Sequence, residues 1–345
     1  MNAHIDPQTT MQIMQELMLG CDLSSQQAAQ LFLAMLNNEL GDIEKTAILV
    51  ALKVKGETSA EISGAAMTLR AQALPFSIPD YQYADIVGTG GDGVSTINIS
   101  TAVSFVAAAA GLPIVKHGNR AVSSKCGAAD LLENFGVNLN MHPNIARKAL
   151  DEAGVSFLFA PKYHESIKQV MHVRKTLATR TIFNILGPLI SPAKPPIMLV
   201  GVYDPALCDI FAKTLRNMGC KRALVVNGLG LDEIAIHGRT NTVELINGEI
   251  IPKDFKPADF GVSEFPLSSI IGGNPFENAS FIKNVLEGHG KDSHCAAIGV
   301  NAAALLYLAD KVDNLAQGYE LARDTMQSGK AAVCLSKLVE ISNMD

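Results

Sequence analysis

Apolar residues recur at helical spacing through the first 75 positions and at strand spacing soon after. Residues 11–19 form one apolar helical stripe. Ser24 or Ser25 can cap a second helix carrying Ala28, Leu31, Phe32, Met35 and Leu36. Asp42 opens a third, with Ile43, Ala47, Val50, Leu52 and Val54 as its stripe, and Gly56 follows its end. Thr58 with Glu61 matches the capping box of a fourth. No strand signal interrupts this stretch, and stripes at such spacing read as core and interface rather than ligand site. The two prolines of Leu74-Pro-Phe-Ser-Ile-Pro79 stop any helix and mark a linker.

From about residue 82 strands and helices alternate. The pattern gives strands at 84–87, 112–116, 155–159, 197–202 and 223–226, with helices at 128–135, 145–153 and 205–218. After Ile234 come short strands, with Asn247-Gly248 as a hairpin turn, and then a helical tail from about Cys295 to the end. The expected class is α/β: a small all-helical N-terminal domain plus a large α/β domain with a mostly parallel central sheet. Ligands of such sheets sit beyond the carboxyl ends of the strands, where loops starting at Gly88, Lys116 and Gly228 would gather.

Composition narrows the class. The chain has 345 residues, 48% hydrophobic and 18% charged, enough for one large domain or a large and a small one. A net charge of -6 argues against a nucleic-acid backbone as partner. The six cysteines, at 21, 126, 208, 220, 295 and 334, show no paired short spacing, which speaks against a zinc site or disulfide framework and suits a reducing cytoplasm. No secretory pattern opens the chain, and no apolar run reaches the roughly 18 residues of a membrane span.

Four stretches carry candidate chemistry. Asp85-Ile-Val-Gly-Thr-Gly-Gly-Asp-Gly93 reads as a strand end followed by a tight glycine turn, with a helix starting near residues 98–101. Strand, turn and helix N-terminus together suit a phosphate. The spacing is neither the dinucleotide fingerprint nor a Walker loop, and taken alone it is also an ordinary tight turn. Lys116-His-Gly-Asn-Arg-Ala-Val-Ser-Ser-Lys125 follows a strand and holds three cations, one Asn and two Ser. Those groups bind phosphate oxygens, or else form a solvated basic loop. In Gly228-Leu-Gly-Leu-Asp-Glu233, adjacent carboxylates suit Mg²⁺ with substrate phosphates and water, although such pairs are common on surfaces. Magnesium with two phosphate-type sites points to a diphosphate leaving group. Arg174, expected at the end of a helix beginning near Tyr163, offers a planar fork to a carboxylate or else an intrachain ion pair. His117 and His164 lie near these stretches, and no Ser/His/Asp or Cys/His set is recognisable.

Taken together the motifs resemble the anthranilate phosphoribosyltransferase family of tryptophan biosynthesis. Gly88-Thr-Gly-Gly-Asp92, Asn98-Ile-Ser-Thr101, Lys116-His-Gly-Asn119, Arg180-Thr-Ile-Phe-Asn-Ile-Leu-Gly-Pro188, Asp232-Glu233 and Gly272-Gly-Asn-Pro-Phe-Glu-Asn-Ala279 carry the resemblance, which covers nearly the whole chain. It implies a helical domain of residues 1–78 to which 165–190 returns, and a catalytic domain of 79–164 and 191–345, nucleoside phosphorylase/phosphoribosyltransferase-like in fold. It also implies a homodimer formed through the helical domain, with neither nucleic acid nor membrane as partner.

By the same resemblance, 5-phosphoribosyl 1-pyrophosphate is bound by Gly88, Gly91, Asp92, Thr96, Asn98, Ile99, Ser100 and Thr101, and by Lys116, His117, Gly118, Asn119, Arg120, Ala121, Val122, Ser123, Ser124 and Ala128. Anthranilate is met by Gly88, Asn119 and Arg174, with Arg174 facing its carboxylate. Two Mg²⁺ ions per subunit are implied, one held by Ser100 and Glu233, the other by Asp232 and Glu233. Ala128 stands where family members often have Ser, removing a phosphate hydrogen bond worth roughly 1.5–3 kcal/mol if charge-assisted. Ile167 replaces a Tyr found near anthranilate in some relatives.

The implied reaction is displacement at the ribose anomeric carbon by the anthranilate amine. An aromatic amine is neutral and nucleophilic at pH 7, so no acid–base residue is needed, and Lys116, His117 and Asn119 give transition-state support. A pyrimidine nucleoside phosphorylase would share the fold and glycine turn but needs no acidic metal pair. A non-catalytic nucleic-acid-binding relative would need a basic face.

Overall fold

A computed structural model describes residues 6–121 and 125–344. Four helices open the described chain: α1 (Pro7–Met18), α2 (Ser25–Leu36), α3 (Asp42–Lys55) and α4 (Ser59–Ala71). Ser24 caps α2 and Thr58 caps α4, each in a reciprocal box with Gln27 or Glu61. Glu61 is fully buried because it has three partners: the Thr58 N–H, the Leu23 N–H and the Lys55 ammonium. One expectation fails in α3. Its inward residues are Lys45, Ile48, Leu49 and Leu52, whereas Ile43 and Val54 are 87% and 81% exposed and Val50 is also exposed. The i, i+3, i+4, i+7 row through Lys45 and Leu52 won the core, because Lys45 buries its stem and spends its ammonium on Asn38 Oδ1 and the Gln169 carbonyl.

The sheet follows with β1 (Ala84–Gly88), β2 (Ile114–Gly118), β3 (Val155–Phe159), β4 (Ile197–Gly201), β5 (Arg222–Asn227), β6 (Thr240–Ile246) and β7 (Glu249–Phe255). Spatial order is β3-β2-β1-β4-β5-β6-β7. The first five in sequence run parallel, and β6 and β7 add an antiparallel hairpin at one edge, turning at Asn247-Gly248 with both φ angles positive. Connecting helices are α5 (Ile99–Ala109), α6 (Ala128–Asn134), α7 (Pro143–Ala153), α8 (Ala160–Tyr163), α9 (Lys168–Leu177), α10 (Phe183–Leu186) and α11 (Leu207–Asn217). The chain ends in α12 (Pro275–Leu286), α13 (Asp292–Leu308), α14 (Leu315–Gln327) and α15 (Lys330–Ser342). The expected single tail from Cys295 is thus three helices, the first starting at Asp292.

Strand side chains alternate between two cores. Ile86, Phe157, Leu199 and Leu224 face α5, α7 and α12 to α15. Val87, Met198, Val200, Ala223 and Val225 face α11 and share a core with the N-terminal helices, α9 and α10. The chain lays β1, β2 and β3 to one side, then returns so that β4 pairs with β1. That reversal is the crevice where ligands of such sheets bind. The carboxyl ends of β1 and β4 meet there as the register pair Gly88 and Gly201.

Candidate active site

Two paired glycines make room for a carboxylate. A Cβ on Gly88 would fall 2.1 Å from Asp232 Oδ2, and one on Gly201 would fall 1.6 Å from the Asp232 carbonyl oxygen. With neither present, Asp232 drops over the strand ends and accepts the Gly90 N–H at 2.6 Å. Beyond Gly88 the chain turns through Gly90, Gly91 and Gly93, all at positive φ. Thr89 donates its N–H to the Gly201 carbonyl and accepts the Tyr203 N–H on its hydroxyl. The acidic turn is fixed from behind. Gly228 and Leu231 exchange backbone bonds, Gly230 N–H reaches Asn227 Oδ1, and buried Asn301 of α13 bonds both the N–H and the carbonyl of Ile234.

Ser100, in the first turn of α5, donates to Glu233 Oε1 at 2.5 Å. Asn98 stands at the N-cap of α5, within the expected 98–101 start, but makes no capping bond with its side chain. Its amide instead donates to the Cys126 carbonyl, and its Oδ1 accepts from Asn278 of α12. Asn278 also takes the Gly273 N–H, and residues 95–97 bond to Ile270 and Gly272, with Thr96 bridging to Ile271. The 272–279 segment therefore serves as a brace for the glycine turn. Ile99 and Thr101 are buried.

Lys116 is not in a solvated loop. It lies on β2, 4% exposed, with its ammonium 2.7 Å from the Ile86 carbonyl. Strand alternation turned it inward toward Asp85, Asp232 and Glu233, whose charges hold up a pKa that burial lowers. Burial raises Asp232 to about 6, with the Asp92 charge adding to it. It raises Glu233 to about 8, with the Asp232 charge adding and the Ser100 hydrogen bond opposing. Asp92 is raised by the same burial and faces Asp232 at hydrogen-bonding range, while its Oδ1 accepts the Val94 N–H. Two hard carboxylates and a neutral hydroxyl form an oxygen donor set that suits a magnesium ion. Among the described residues no three His, Cys, Asp or Glu side chains enclose a metal position, so phosphate oxygens would complete the shell.

Arg120, expected at a phosphate, is paired within the chain. Its guanidinium forks onto Glu133, reaches Asp130 and lies over the Phe159 ring. The two acids come from α6 and the ring from the end of β3. Asp130 also takes the Ala121 and Gly127 N–H groups. Asn119 accepts the Arg120 N–H on Oδ1 and the Ala129 N–H on its carbonyl. Gly118 lies against Phe157 and Ala128, which starts α6. Val122, Ser123 and Ser124 lie outside the described residues.

Arg174 does not end a helix from Tyr163. The chain breaks at His164, makes a short 3-10 turn, and α9 runs on three residues past Arg174. Arg174 is half-buried over the Phe183 ring with Met171 Sδ at 3.8 Å and, among the described residues, has no acidic partner. Burial lowers its pKa. Ile167 packs at the margin of the core it shares with α9. His117 and His164 meet edge to face at 5.1 Å, and His117 Nε2 and both His164 nitrogens make no hydrogen bond of good geometry. Burial lowers His117 to about 3, with the His164 charge adding, and His164 to about 4. One contact had no cue in sequence: Arg180 donates to the Gly91 carbonyl and stacks 4.1 Å over Tyr203. It ties the α9–α10 segment to the glycine turn.

A helical bundle on a doubly wound sheet, with a glycine turn and carboxylates at the switch point, defines a glycosyl-transferring enzyme. Family models agree: a glycosyl transferase helical bundle domain matches residues 11–73 and a glycosyl transferase a/b domain matches 80–332. An anthranilate phosphoribosyltransferase of Colwellia psychrerythraea is 50% identical over 335 residues, 96% of this chain and 92% of that protein. One of Photobacterium profundum is 54% identical over 316 residues, 92% of this chain and 93% of that protein. The crystal structure of the Thermus thermophilus enzyme of that name superposes with a TM-score of 0.92 at 37% identity, covering 96% of this chain and 99% of that one. The Saccharomyces cerevisiae enzyme, solved with PRPP and Mg, gives 0.89 at 28% identity, covering 98% of each. The chain belongs to the anthranilate phosphoribosyltransferase family.

Proposed function

We propose that the protein transfers the phosphoribosyl group of 5-phosphoribosyl 1-pyrophosphate to the anthranilate amine, releasing pyrophosphate and forming N-(5-phosphoribosyl)anthranilate. The observation that carries this reading is the joining of three distant stretches at one point. Gly90 and Asp232 bond at 2.6 Å, and Ser100 and Glu233 at 2.5 Å, at the sheet's switch point. Relatives near half identity bear the transferase name over nearly the whole chain, which favours transfer over nucleoside phosphorolysis.

The glycine turn and the start of α5 offer N–H groups to the donor's phosphates. Ser100 with Glu233, and Asp232 with Glu233, are the ligands for two magnesium ions. When bound, magnesium neutralises the departing pyrophosphate. Arg174 receives the anthranilate carboxylate, for which its bare guanidinium is the fitting partner. Lys116, His117 and Asn119 support the transition state, and the aromatic amine is neutral at pH 7 by its own weak basicity. Its nitrogen lone pair forms the new C–N bond, the C–O bond to pyrophosphate breaks, and the extra amine proton leaves to solvent. Closure of the helical domain, taken as 1–78 with 165–190, on the catalytic domain excludes water, with Arg180 as a latch.

A homodimer through the helical domain is part of this reading, supported by the outward Ile43 and Val54 of α3 and by Leu19, 83% exposed beyond α1. Cytoplasmic residence accords with six free thiols. Among the described residues no helix is long and apolar enough to cross a membrane. The deciding experiment follows anthranilate fluorescence with donor and Mg²⁺. Loss of signal needing all three components supports the reading, and no loss, together with phosphate-dependent cleavage of thymidine, overturns it.

A further inference from the structure

A second cavity, of about 210 Å³, lies at the amino ends of β4 and β5. Met198 of β4 and Cys220, just before β5, line it, so it opens at the end of the sheet opposite Gly88 and Asp232. None of its residues is among those assigned to donor, anthranilate or magnesium.

The lining has a distinct chemistry. Arg70, in the last turn of α4, is half-buried, and among the described residues its guanidinium has no hydrogen-bond or ion-pair partner. Ser191 is 2% exposed, and its hydroxyl is a buried polar atom with no partner. Lys194 adds a second cation at the rim. The rest of the wall is apolar, chiefly Leu189, Met198, Leu215 and Met218, and no Asp or Glu lines the cavity. A buried hydroxyl without a partner carries a desolvation cost that a ligand oxygen would relieve. A bare guanidinium beside it presents the planar fork that suits a carboxylate.

Size and polarity fix the rest. The volume equals that of about seven liquid waters, enough for one small ring or short branched chain with its carboxylate. An apolar wall favours a ligand with an apolar body over inorganic phosphate. The missing acid leaves an ammonium unpaired, which disfavours zwitterionic amino acids. We propose that this cavity is a binding site for a small monocarboxylate with a compact apolar body, its carboxylate held by Arg70 and Ser191 and its body by the two methionines. Such a ligand bridges α4 of the helical layer to β4 and α11 of the sheet layer.

Methionine methyl NMR separates this site from the active site, because Met198 and Met218 line the cavity while Met171 lies against Arg174. With the methyls assigned by single Met→Leu variants, benzoate is titrated into the whole protein. The expected result is saturable shifts of Met198 and Met218 that persist in Arg174→Gln. Apparent affinity should weaken about tenfold or more in Arg70→Gln and severalfold in Ser191→Ala, both keeping normal turnover. Inorganic phosphate and glycine should leave both methyls unmoved. Shifts confined to Met171, an equal response to phosphate, or Arg70→Gln and Ser191→Ala proteins that fold and bind benzoate as the parent does, would overturn the proposal.

Discussion

The two halves of the active site are built in opposite ways. On the donor side nearly every polar group is already bonded within the chain: Asp232 to the glycine turn, Ser100 to Glu233, Asn98 to Asn278, Asn301 to the backbone behind the carboxylates. On the acceptor side Arg174 has only the Phe183 ring and the Met171 sulfur beside it among the described residues. The donor half is preorganised to hold a highly charged ligand without rearranging. The acceptor half keeps one charge bare, and in the proposed function that charge awaits the substrate carboxylate.

Removing the carboxylates is the strongest way to break this contrast. Asp232→Ala with Glu233→Ala should lower magnesium-dependent turnover by about 10³-fold or more, on the order of 4 kcal/mol, while leaving thermal stability equal or higher, since two crowded buried acids are gone. Steady-state rates and calorimetric melting check both halves of that statement.

Acid should act through the two buried imidazoles behind the site. His117 and His164 sit at about 3 and about 4 in the folded chain against an ordinary 6.5, so below pH 6.5 the unfolded chain binds protons that the folded chain refuses. Their stabilisation is complete above pH 6.5 and is lost as the pH falls toward 4 and then 3, on the order of 3–5 kcal/mol per imidazole. Urea unfolding at stepped pH should show a steeper loss in the parent than in His164→Phe.

Arg174→Ala should raise the anthranilate KM about 10- to 100-fold, some 1.4–2.7 kcal/mol, with the donor KM nearly unchanged. A matrix of initial rates in both substrates reads this split. Arg180→Ala should be mildest, a loss of about tenfold or less in kcat/KM for both substrates, since it loosens the Gly91 turn without touching a charge on either substrate.

Much of this was legible because local patterns were strong. The capped helices α2 and α4, the five parallel strands and the Asn247-Gly248 turn carry their signals within a few residues. The missing parts depend on partners far away in sequence. Asn98 looks like a capping side chain until Asn278 is placed beside it. Lys116 looks solvated until strand alternation turns it toward Asp85 and Glu233. Arg120 looks free until α6 brings Glu133 alongside. The outward face of α3 was misread because Lys45, a charged residue, takes a core position through two specific acceptors. Arg180 and Asn301 carry no local cue; each acts through one backbone group supplied by another part of the fold.

The central claim is that donor and acceptor are held by separable halves, and calorimetric titration of the phosphoribosyl donor with Mg²⁺ tests it most directly. Parent and Arg174→Ala should bind the donor with the same affinity, and the Asp232→Ala, Glu233→Ala protein should bind it far more weakly. Donor affinity lost to the same extent in both variants would contradict the account.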